Sequence, residues 1–328
     1  MKSQYIEELK SGQVVKENFI LSRKILREKK DGGMYAMLEL SDRTGSIEAV
    51  AWDNVVESLR SVSTGDVVFV AGTVNEYNNR LQIVVQSLRR TNDADIDPKD
   101  FLPETEEDTD KVFEEIVTYR KKVKDPHLIS LLDVFFKDTR LITQFKVAPA
   151  AKRAHHAYLG GLMVHTRNVL DLTEHIAQVY TSANRDLLIT AGILHDIGKV
   201  YEYQYIKSID FSTEGRMLGH VVIGYELVAR LIQGIPDFPD ILRCKVLHMI
   251  LSHHGEFEWG APKLPVFVEA LILHFADNLD SKVAMMTETL KKYKGHDREW
   301  SDFHPFLERE LYVREDDDEQ TKHDEVER

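Results

Sequence analysis

The chain has 328 residues, 43% of them hydrophobic, with a single cysteine and a formal net charge of −13. This length exceeds what one hydrophobic core usually organises, so we expect two domains, and the lone Cys244 excludes an internal disulfide and favours a reducing, cytoplasmic compartment. No apolar stretch approaches the roughly 18 residues of a membrane span, and the N-terminus lacks the apolar run of a signal peptide, so no membrane partner is expected.

The first 91 residues alternate between apolar and polar positions in short runs that are separated by turn signals, which predicts β-strands. A short helical stretch at 54–61 is expected between the third and the fourth strand. The five predicted strands cover residues 14–25, 34–40, 46–52, 67–74 and 81–88. This is the order of the OB-fold barrel, whose groove suits single-stranded nucleic acid. The sequence therefore predicts an OB-fold nucleic-acid-binding domain over residues 1–91.

Basic and aromatic side chains of this domain are candidates for contacts with nucleic acid, because such a groove combines positive charge with rings on which bases stack. The expected partner of this domain is a single-stranded nucleic acid. Small β-barrels also serve as protein-docking or purely structural modules, so that alternative stays open. The candidate substrate-binding residues are Arg23, Tyr35, Arg43, Trp52 and Tyr77, with Lys24, Arg27 and Arg80 beside them.

Two acidic segments carry nearly all of the net charge. Residues 92–110 hold nine acidic residues against one lysine, and residues 308–328 hold ten against four basic residues. The first segment contains Pro98 and Pro103 and is predicted to be an extended linker between the domains. The stretch 313–328 is predicted to be a disordered tail because it has almost no large apolar groups. The rest of the chain is close to neutral, so its charge neither excludes nor indicates RNA.

From residue 111 to 312 the apolar residues recur at spacings of three and four, which predicts helices throughout. A carboxylate beside a histidine in an apolar helix is costly to bury unaided, and a metal ion supplies the missing partner. Imidazole and carboxylate ligands together suit Mn²⁺, Fe²⁺, Co²⁺, Ni²⁺ or Zn²⁺ better than Ca²⁺ or Mg²⁺. The candidate ligands are His165, His195, Asp196, His220, His253, His254 and Asp277.

The order of these ligands resembles the HD phosphohydrolase superfamily, an all-helical fold named for its His-Asp pair, here His195-Asp196. Two divalent ions are implied by this resemblance, with Mn²⁺ first among the candidate metals. The first ion would be held by His165, His195, Asp196 and Asp277. The second would be held by Asp196, His220 and one or both of His253 and His254.

The predicted barrel and acidic linker are followed by the segments HHAYLGGLMVHT, GILHDIGKV, EGRMLGH, LSHHGEFEWGAPKLP and LHFADNLDSK. This arrangement more closely resembles the YhaM type of 3′-to-5′ exoribonuclease. The likeness covers residues 12–312, and the segment after the paired histidines is its most specific part. It implies a multi-domain hydrolase in which an OB-fold β-barrel is followed by an all-α HD domain. The implied substrate is single-stranded RNA, which is degraded to nucleoside monophosphates, with single-stranded DNA as a second candidate.

Residues near the ligands are candidates for catalysis and for substrate binding. Asp196 can bridge two ions, and Lys199, four residues after His195, can offset charge on the phosphate; a surface lysine at a helix end is the alternative. His156 is a candidate proton donor to the leaving 3′ oxygen, with a structural role as the alternative. Contacts with the phosphate or the terminal nucleotide are expected from Arg153, His155, Arg216, Trp259 and Lys263.

Two other functions stay open on the sequence. One is a phosphohydrolase for a small nucleotide, with the barrel as a regulatory module. Its cyclic-dinucleotide version is disfavoured, because the loop after His253-His254 reads Gly-Glu-Phe-Glu-Trp-Gly where that group has Gly-Tyr-Pro. The other is a single-stranded nucleic-acid-binding factor in which catalysis is incidental. A homo-oligomer also stays open as a partner, since the sequence does not fix the number of chains.

Overall fold

The computed structural model describes residues 2–29, 32–152 and 156–314. Its N-terminal part is a closed barrel in which the strands follow the order β1-β2-β3-β5-β4. Alternating residues of the strands are buried, because successive side chains of a strand point to opposite faces. The strands are β1 (Val14–Glu28), β2 (Met34–Asp42), β3 (Gly45–Ala51), β4 (Val67–Tyr77) and β5 (Arg80–Arg90).

A parallel contact between β3 and β5 closes the barrel, whereas the other neighbouring strands pair antiparallel. Helix α1 (Asp53–Val56) and a 3-10 turn (Glu57–Ser61) connect β3 to β4. Leu59 of this connection is buried in the barrel core together with Phe19 and Ile83. The predicted OB-fold order is therefore confirmed, and several strands extend beyond their predicted runs.

The acidic segment 92–110 differs from the predicted extended linker. It contains short 3-10 turns, and its side chains Phe101 and Leu102 are buried. The Asp100 carboxylate is also buried and accepts a hydrogen bond of 3.2 Å from the backbone nitrogen of Lys2. Burial of the two apolar side chains explains the difference, because a segment that buries apolar surface lies against the protein instead of crossing solvent.

From Thr109 to Tyr293 the described chain is mostly helical, as predicted for the second domain. Residues 294–314 contain turns and isolated β-bridges but no helix, so the prediction of helices as far as residue 312 is wrong there. One short two-stranded ribbon interrupts the helices, formed by β6 (Tyr203–Gln204) and β7 (Asp210–Phe211). The helices are α2 (Thr109–Arg120), α3 (Pro126–Lys137), α4 (Thr139–Val147), α5 (Gly161–Val179), α6 (Arg185–Leu194), α7 (Lys199–Glu202), α8 (Thr213–Gln233), α9 (Asp240–Ser252) and α10 (Val268–Tyr293).

Helix α6 lies at the centre of this domain. It is buried without interruption from Leu187 to Leu194 and packs against α5, α9 and α10. Its start is fixed by Asn184, whose side chain accepts a hydrogen bond from the backbone nitrogen of Leu187. Because α6 is central, the residues that follow its last turn emerge inside the domain.

The C-terminal segment, defined here as residues 300–314, packs against the C-terminal half of α10. The helical domain was predicted to end at residue 312. The packed segment continues past that residue, because Val313 is also buried. A small apolar cluster joins the segment to α10 and consists of Met285, Tyr293, Leu307, Leu311 and Val313. Residues 315–328, most of the predicted disordered tail, lie outside the described residues. Among the described helices, none is both long and apolar enough to cross a membrane.

Candidate metal centre

Seven histidine and aspartate side chains of the helical domain converge on one site, and all seven were predicted as ligands. They form two groups of four residues that share Asp196. Within each group, one nitrogen or oxygen atom of each residue lies within 4.8 Å of the corresponding atoms of the other three. They come from α5 (His165), the end of α6 (His195, Asp196), α8 (His220), the turn after α9 (His253, His254) and α10 (Asp277).

Asp196 lies between the two groups and turns one carboxylate oxygen toward each. Its Oδ2 atom is 3.3 Å from Nε2 of His165 and 3.4 Å from Nε2 of His195. Its Oδ1 atom is 3.4 Å from Nε2 of His220 and 3.4 Å from Nε2 of His253. A carboxylate with this orientation can bridge two cations.

Hydrogen bonds from the Nδ1 atoms hold the histidine rings. His195, His253 and His254 donate from Nδ1 to backbone carbonyl oxygens at 2.9, 2.7 and 2.8 Å. A carbonyl oxygen can only accept a hydrogen bond, so Nδ1 carries the proton and Nε2 of the neutral ring carries a lone pair. Protein groups orient metal-binding histidines in this manner.

The Nε2 atoms of neighbouring rings lie close together. The Nε2 atoms of His165 and His195 are 3.2 Å apart, and those of His220 and His254 are 3.1 Å apart. Among the described residues, Asp196 Oδ1 and His253 Nε2 are buried without a hydrogen-bond partner. Buried acceptors without donors are costly. A divalent cation would provide a partner for these acceptors, so the residues fit the metal.

The ionisation of the histidines also fits a bound cation. Burial, together with the neighbouring imidazoles, lowers the pKa of His254 to about 3, and burial lowers the pKa of His253. Both rings are therefore neutral at neutral pH, as metal binding requires. Burial opposes the charged form of His165, but three surrounding carboxylates, Asp196 among them, outweigh it and raise its pKa. A divalent cation would neutralise the same negative charge.

Lys199 is buried beside the ligands. The residue is 6% exposed, and its Nζ atom donates a hydrogen bond of 2.5 Å to Asp196 Oδ2. Burial disfavours the ammonium, but the carboxylates of Asp196 and Asp277 outweigh burial and raise the pKa of Lys199. This burial excludes the alternative of a surface lysine at a helix end.

A kink in α8 places His220. Gly219, just before it, has φ 72° and ψ 156°, a conformation that glycine adopts far more readily than other residues. Glu202 then accepts hydrogen bonds from the backbone nitrogen of His220 at 2.9 Å and from its Nδ1 at 3.0 Å. The sequence prediction missed Glu202, because no fixed spacing relates the end of α7 to α8.

Asp280 is a second functional residue that the sequence prediction missed. Its Oδ2 atom is 2.7 Å from Nδ1 of His165 and 3.0 Å from Nε2 of His156, and Asn168 donates to its Oδ1 at 2.8 Å. It lies three residues after Asp277, and residues at that spacing share a helix face. The spacing in α10 is the signal that could have identified it.

His156 lies behind the ligands. Its Nδ1 is 2.8 Å from the Tyr158 hydroxyl and its Nε2 is 3.0 Å from Asp280. Both ring nitrogens are therefore engaged by groups of the protein. The neighbouring predicted substrate contacts, Arg153 and His155, lie outside the described residues.

A cavity of about 710 Å³ opens beside the ligands. It is lined by Lys199, His254 and Asp277, and also by Trp259 and Lys282. Trp259 is 49% exposed, and the Nζ atom of Lys282 lies 5.1 Å from the centre of its ring. The structure therefore brings the predicted Trp259 to the cavity that a substrate would enter.

Two other predicted substrate contacts, Lys263 and Arg216, are not among the residues that line this cavity. Lys263 lies close enough to His248 that its charge, added to the effect of burial, lowers the pKa of that imidazole. Arg216 forms an ion pair of 3.1 Å with Asp210 of the ribbon.

An aromatic pair at one end of the barrel face is the strongest of the predicted nucleic-acid contacts. The rings of Tyr35 and Trp52 stack with their centres 5.4 Å apart, and Nζ of Lys29 is 5.0 Å from the centre of the Trp52 ring. Trp52 is 43% exposed. Exposed aromatic rings with a nearby cation are the groups on which single-stranded bases stack.

The other barrel candidates have different surroundings. Tyr77 is 65% exposed and lies at the turn between β4 and β5. Arg23 forms an ion pair of 3.3 Å with Glu39. Arg43 lies over the Tyr5 ring, 4.5 Å from its centre, so it contributes to holding the N-terminal residues on the barrel.

Two protein families match separate parts of the chain: the HD domain over residues 162–282 and an OB-fold nucleic acid binding domain over residues 20–90. The chain is 33% identical to the 3′-5′ exoribonuclease YhaM of Bacillus velezensis, over 86% of this chain and 90% of that protein. It is 34% identical to YhaM of Geobacillus sp. (strain WCH70), over 80% of this chain and 81% of that protein.

Among solved structures, the HD domain of the Listeria monocytogenes phosphodiesterase PgpH is 18% identical, over 48% of this chain and 82% of that chain, with a TM-score of 0.31. The HD family match and the buried histidine-aspartate cluster identify a divalent-metal-dependent enzyme. Because the identity to the YhaM proteins extends through both domains, the chain belongs to the YhaM family of 3′-5′ exoribonucleases.

Proposed function

We propose that this chain hydrolyses single-stranded RNA from its 3′ end and releases nucleoside monophosphates. The observation that carries the proposal is the pair of ligand groups joined by Asp196 beside an open cavity. The names of the YhaM relatives and the OB-fold match support RNA as the substrate. The comparisons do not favour the two alternatives, a small nucleotide as the substrate or a binding role without catalysis.

In this proposal the site holds two divalent ions. Mn²⁺ is the leading candidate, with Co²⁺, Fe²⁺, Ni²⁺ and Zn²⁺ as alternatives, because the donors are imidazole nitrogens and carboxylate oxygens. When bound, two such ions would supply Lewis-acid stabilisation of a phosphodiester and would lower the pKa of a water nucleophile. The first would be held by His165, His195, Asp196 and Asp277, and the second by Asp196, His220, His253 and His254.

The side chains around the ligands have separate tasks. The Lys199 ammonium, fixed by Asp196 and lining the cavity, stabilises negative charge on a phosphate oxygen. Asp280 and Glu202 orient the rings of two ligands through their Nδ1 atoms. His156 acts through Asp280 as a positioning residue and not as the proton donor to the leaving oxygen, because both of its nitrogens are engaged.

The barrel supplies affinity for the strand in this proposal. Tyr35 and Trp52 stack against bases, while Lys29 contributes positive charge near the same ring. Stacking does not depend on the sugar, so single-stranded DNA is a second substrate to be tested in the same assay.

The test is the degradation of 5′-labelled single-stranded RNA in the presence of Mn²⁺. We expect a ladder of products that shortens from the 3′ end, and we expect Asp196→Asn to abolish it because both ligand groups lose the shared carboxylate. The matched control is Asp297→Asn, which changes an exposed aspartate outside the cluster. Internal cleavage, or equal degradation by Asp196→Asn, would overturn the proposal.

A further inference from the structure

The cavity beside the metal ligands has a second wall, which the C-terminal segment builds. Lys199, His254 and Asp277 line one side, while Phe306 and Glu308 line the other together with their neighbours Leu307 and Arg309. The matched HD domain ends at residue 282, so this wall lies outside it. A cavity of about 710 Å³ is within the usual size of small-molecule sites and suits a single nucleotide.

The C-terminal segment is held in a defined conformation. Tyr293 of α10 donates from its hydroxyl to the Asp302 carboxylate at 2.8 Å and accepts from the Asp302 backbone nitrogen at 3.0 Å. Within the segment, the backbone nitrogen of His304 donates to the carbonyl of Arg309, and that of Glu308 donates to the carbonyl of His304. The wall is therefore a built surface, and it can present side chains to a ligand in a fixed geometry.

Two exposed aromatic rings line this cavity. Trp259, on the loop after the paired histidines, is 49% exposed, and Phe306, on the C-terminal segment, is 61% exposed. The backbone carbonyl of Trp259 accepts the Nδ1 hydrogen of His254, so this loop is also tied to the ligands. Rings exposed beside a site for a phosphodiester are suited to stacking on a base.

Glu308 places a carboxylate in the same wall. Its backbone has φ 53°, which is uncommon for a residue other than glycine, and its side chain is exposed to the cavity. Within the part of the chain that the structure describes, this carboxylate has no hydrogen-bond or ion-pair partner. A carboxylate repels phosphate but accepts hydrogen bonds from hydroxyl groups. The 3′ end of an RNA strand presents two neighbouring hydroxyls and no phosphate.

We propose that the C-terminal segment forms the subsite for the 3′-terminal nucleoside of the RNA. Phe306, together with Trp259, stacks on the terminal base, and the Glu308 carboxylate accepts hydrogen bonds from the hydroxyls of the terminal ribose. The inference rests on the proposed exoribonuclease function and adds to it the groups that select an unpaired end with a free ribose diol.

The base contact is tested by comparing two RNA substrates that differ only at the last position, which is either an intact nucleotide or an abasic ribose. For the wild type we expect kcat/KM to favour the intact end by about tenfold, and for Phe306→Ala we expect that ratio to fall to within about twofold. The control is Phe303→Ala, which removes a ring of similar exposure, 62%, that lines a different cavity.

The ribose contact is tested in the same way, with RNA that ends in a ribonucleotide or in a 2′-deoxynucleotide. We expect a preference of about tenfold for the ribonucleotide in the wild type and a ratio near one in Glu308→Gln. Glu310→Gln, two residues away and also exposed but not lining the cavity, should keep the wild-type ratio.

Each ratio is measured on one preparation, so a loss of folded protein cancels from it. If the wild type shortens RNA from the 3′ end but the two ratios stay unchanged in Phe306→Ala and Glu308→Gln, the subsite assignment is wrong and the proposed function stands. If the wild type does not shorten RNA from the 3′ end, the proposed function is wrong and the subsite assignment falls with it.

Discussion

Individual carboxylates behind the metal ligands decide which nitrogen each ligand offers. Asp280 accepts from Nδ1 of His165, and Glu202 accepts from Nδ1 of His220. Each bond keeps the proton on Nδ1 and directs the Nε2 lone pair toward Asp196. Because such partners orient a ligand without touching the metal, their loss should weaken metal binding while the ligand set stays complete.

We predict that Asp280→Asn weakens Mn²⁺ binding by about tenfold to a hundredfold. The asparagine amide has only one accepting oxygen and cannot hold His165 and His156 as the carboxylate does. Titration of the metal-free protein with Mn²⁺, followed by calorimetry, measures the change, and Asp297→Asn is the control at an exposed position. An affinity within twofold of the wild type would remove the positioning role assigned to Asp280.

A second prediction concerns Lys263, which the structure places near His248. Burial and then the Lys263 charge lower the pKa of His248 below its ordinary value of 6.5. Lys263→Gln should therefore raise the pKa of His248 toward that value. The pH dependence of the His248 ring signals in NMR spectra measures this change. The comparison is Lys245→Gln, which removes a lysine of α9 that is not among the causes of the His248 shift.

The sign of the effect on stability follows from the same shift. A folded-state pKa below the unfolded value means that the unfolded chain binds the proton first, so the protein loses stability as the pH falls through 6.5. In Lys263→Gln this loss should be smaller. An unchanged His248 pKa in that variant would mean that burial alone sets it.

At the scale of the elements, the site depends on where helices end or bend. The central helix α6 ends at Leu194, and the His-Asp pair follows at once, inside the core. Helix α8 bends at Gly219, and His220 follows the bend. A close approach of chain segments supports this arrangement, since a Cβ atom on Gly198 would lie 2.0 Å from the carbonyl oxygen of His220.

We predict that Gly219→Ala lowers the free energy of unfolding by roughly 1–3 kcal/mol, because alanine is strained at this φ and ψ. The space around the position is open, since an added Cβ would meet only Glu202 Oε1 at 4.0 Å, so strain and not collision causes the loss. Urea unfolding measures it. Gly234→Ala at the end of the same helix, where φ is −79°, should be close to neutral, and equal losses in both variants would contradict the explanation.

At the scale of the whole molecule, the proposed function gives the barrel and the helical domain separate tasks on one RNA strand. In the acidic segment between them, the side chains of Phe101 and Leu102 are buried. The Asp100 carboxylate of this segment accepts a hydrogen bond from the backbone nitrogen of Lys2. An ion pair of 3.7 Å between Asp66 of the barrel and Lys207 of the helical domain adds a direct contact. The barrel can therefore contribute to substrates long enough to reach it from the metal centre.

We predict that Trp52→Ala penalises long substrates selectively. The ratio of kcat/KM for a long single-stranded RNA to that for a dinucleotide should fall by about tenfold, since one stacked base is worth about 1–3 kcal/mol. Tyr180→Ala, which removes another exposed ring at the end of α5, should leave the ratio unchanged. A ratio that does not change in Trp52→Ala would mean that this face of the barrel does not hold the strand.

The sequence by itself determined the fold of both domains and the order of the candidate ligands. Strand alternation and helical periodicity are local patterns, and they identified the barrel strands and the helices because burial of one face requires them. The seven ligand candidates were found for a related reason: histidines and aspartates in apolar helices, such as the pair after α6, are costly without a partner.

Only the tertiary structure decided how these residues act together. It turned the two oxygens of Asp196 toward different groups, engaged both nitrogens of His156, and placed Lys263 away from the cavity. It also revealed partners that are distant in the chain, among them Glu202 for His220. Such relations depend on how helices cross and on where a helix bends, and the spacing of residues along the chain does not contain that information.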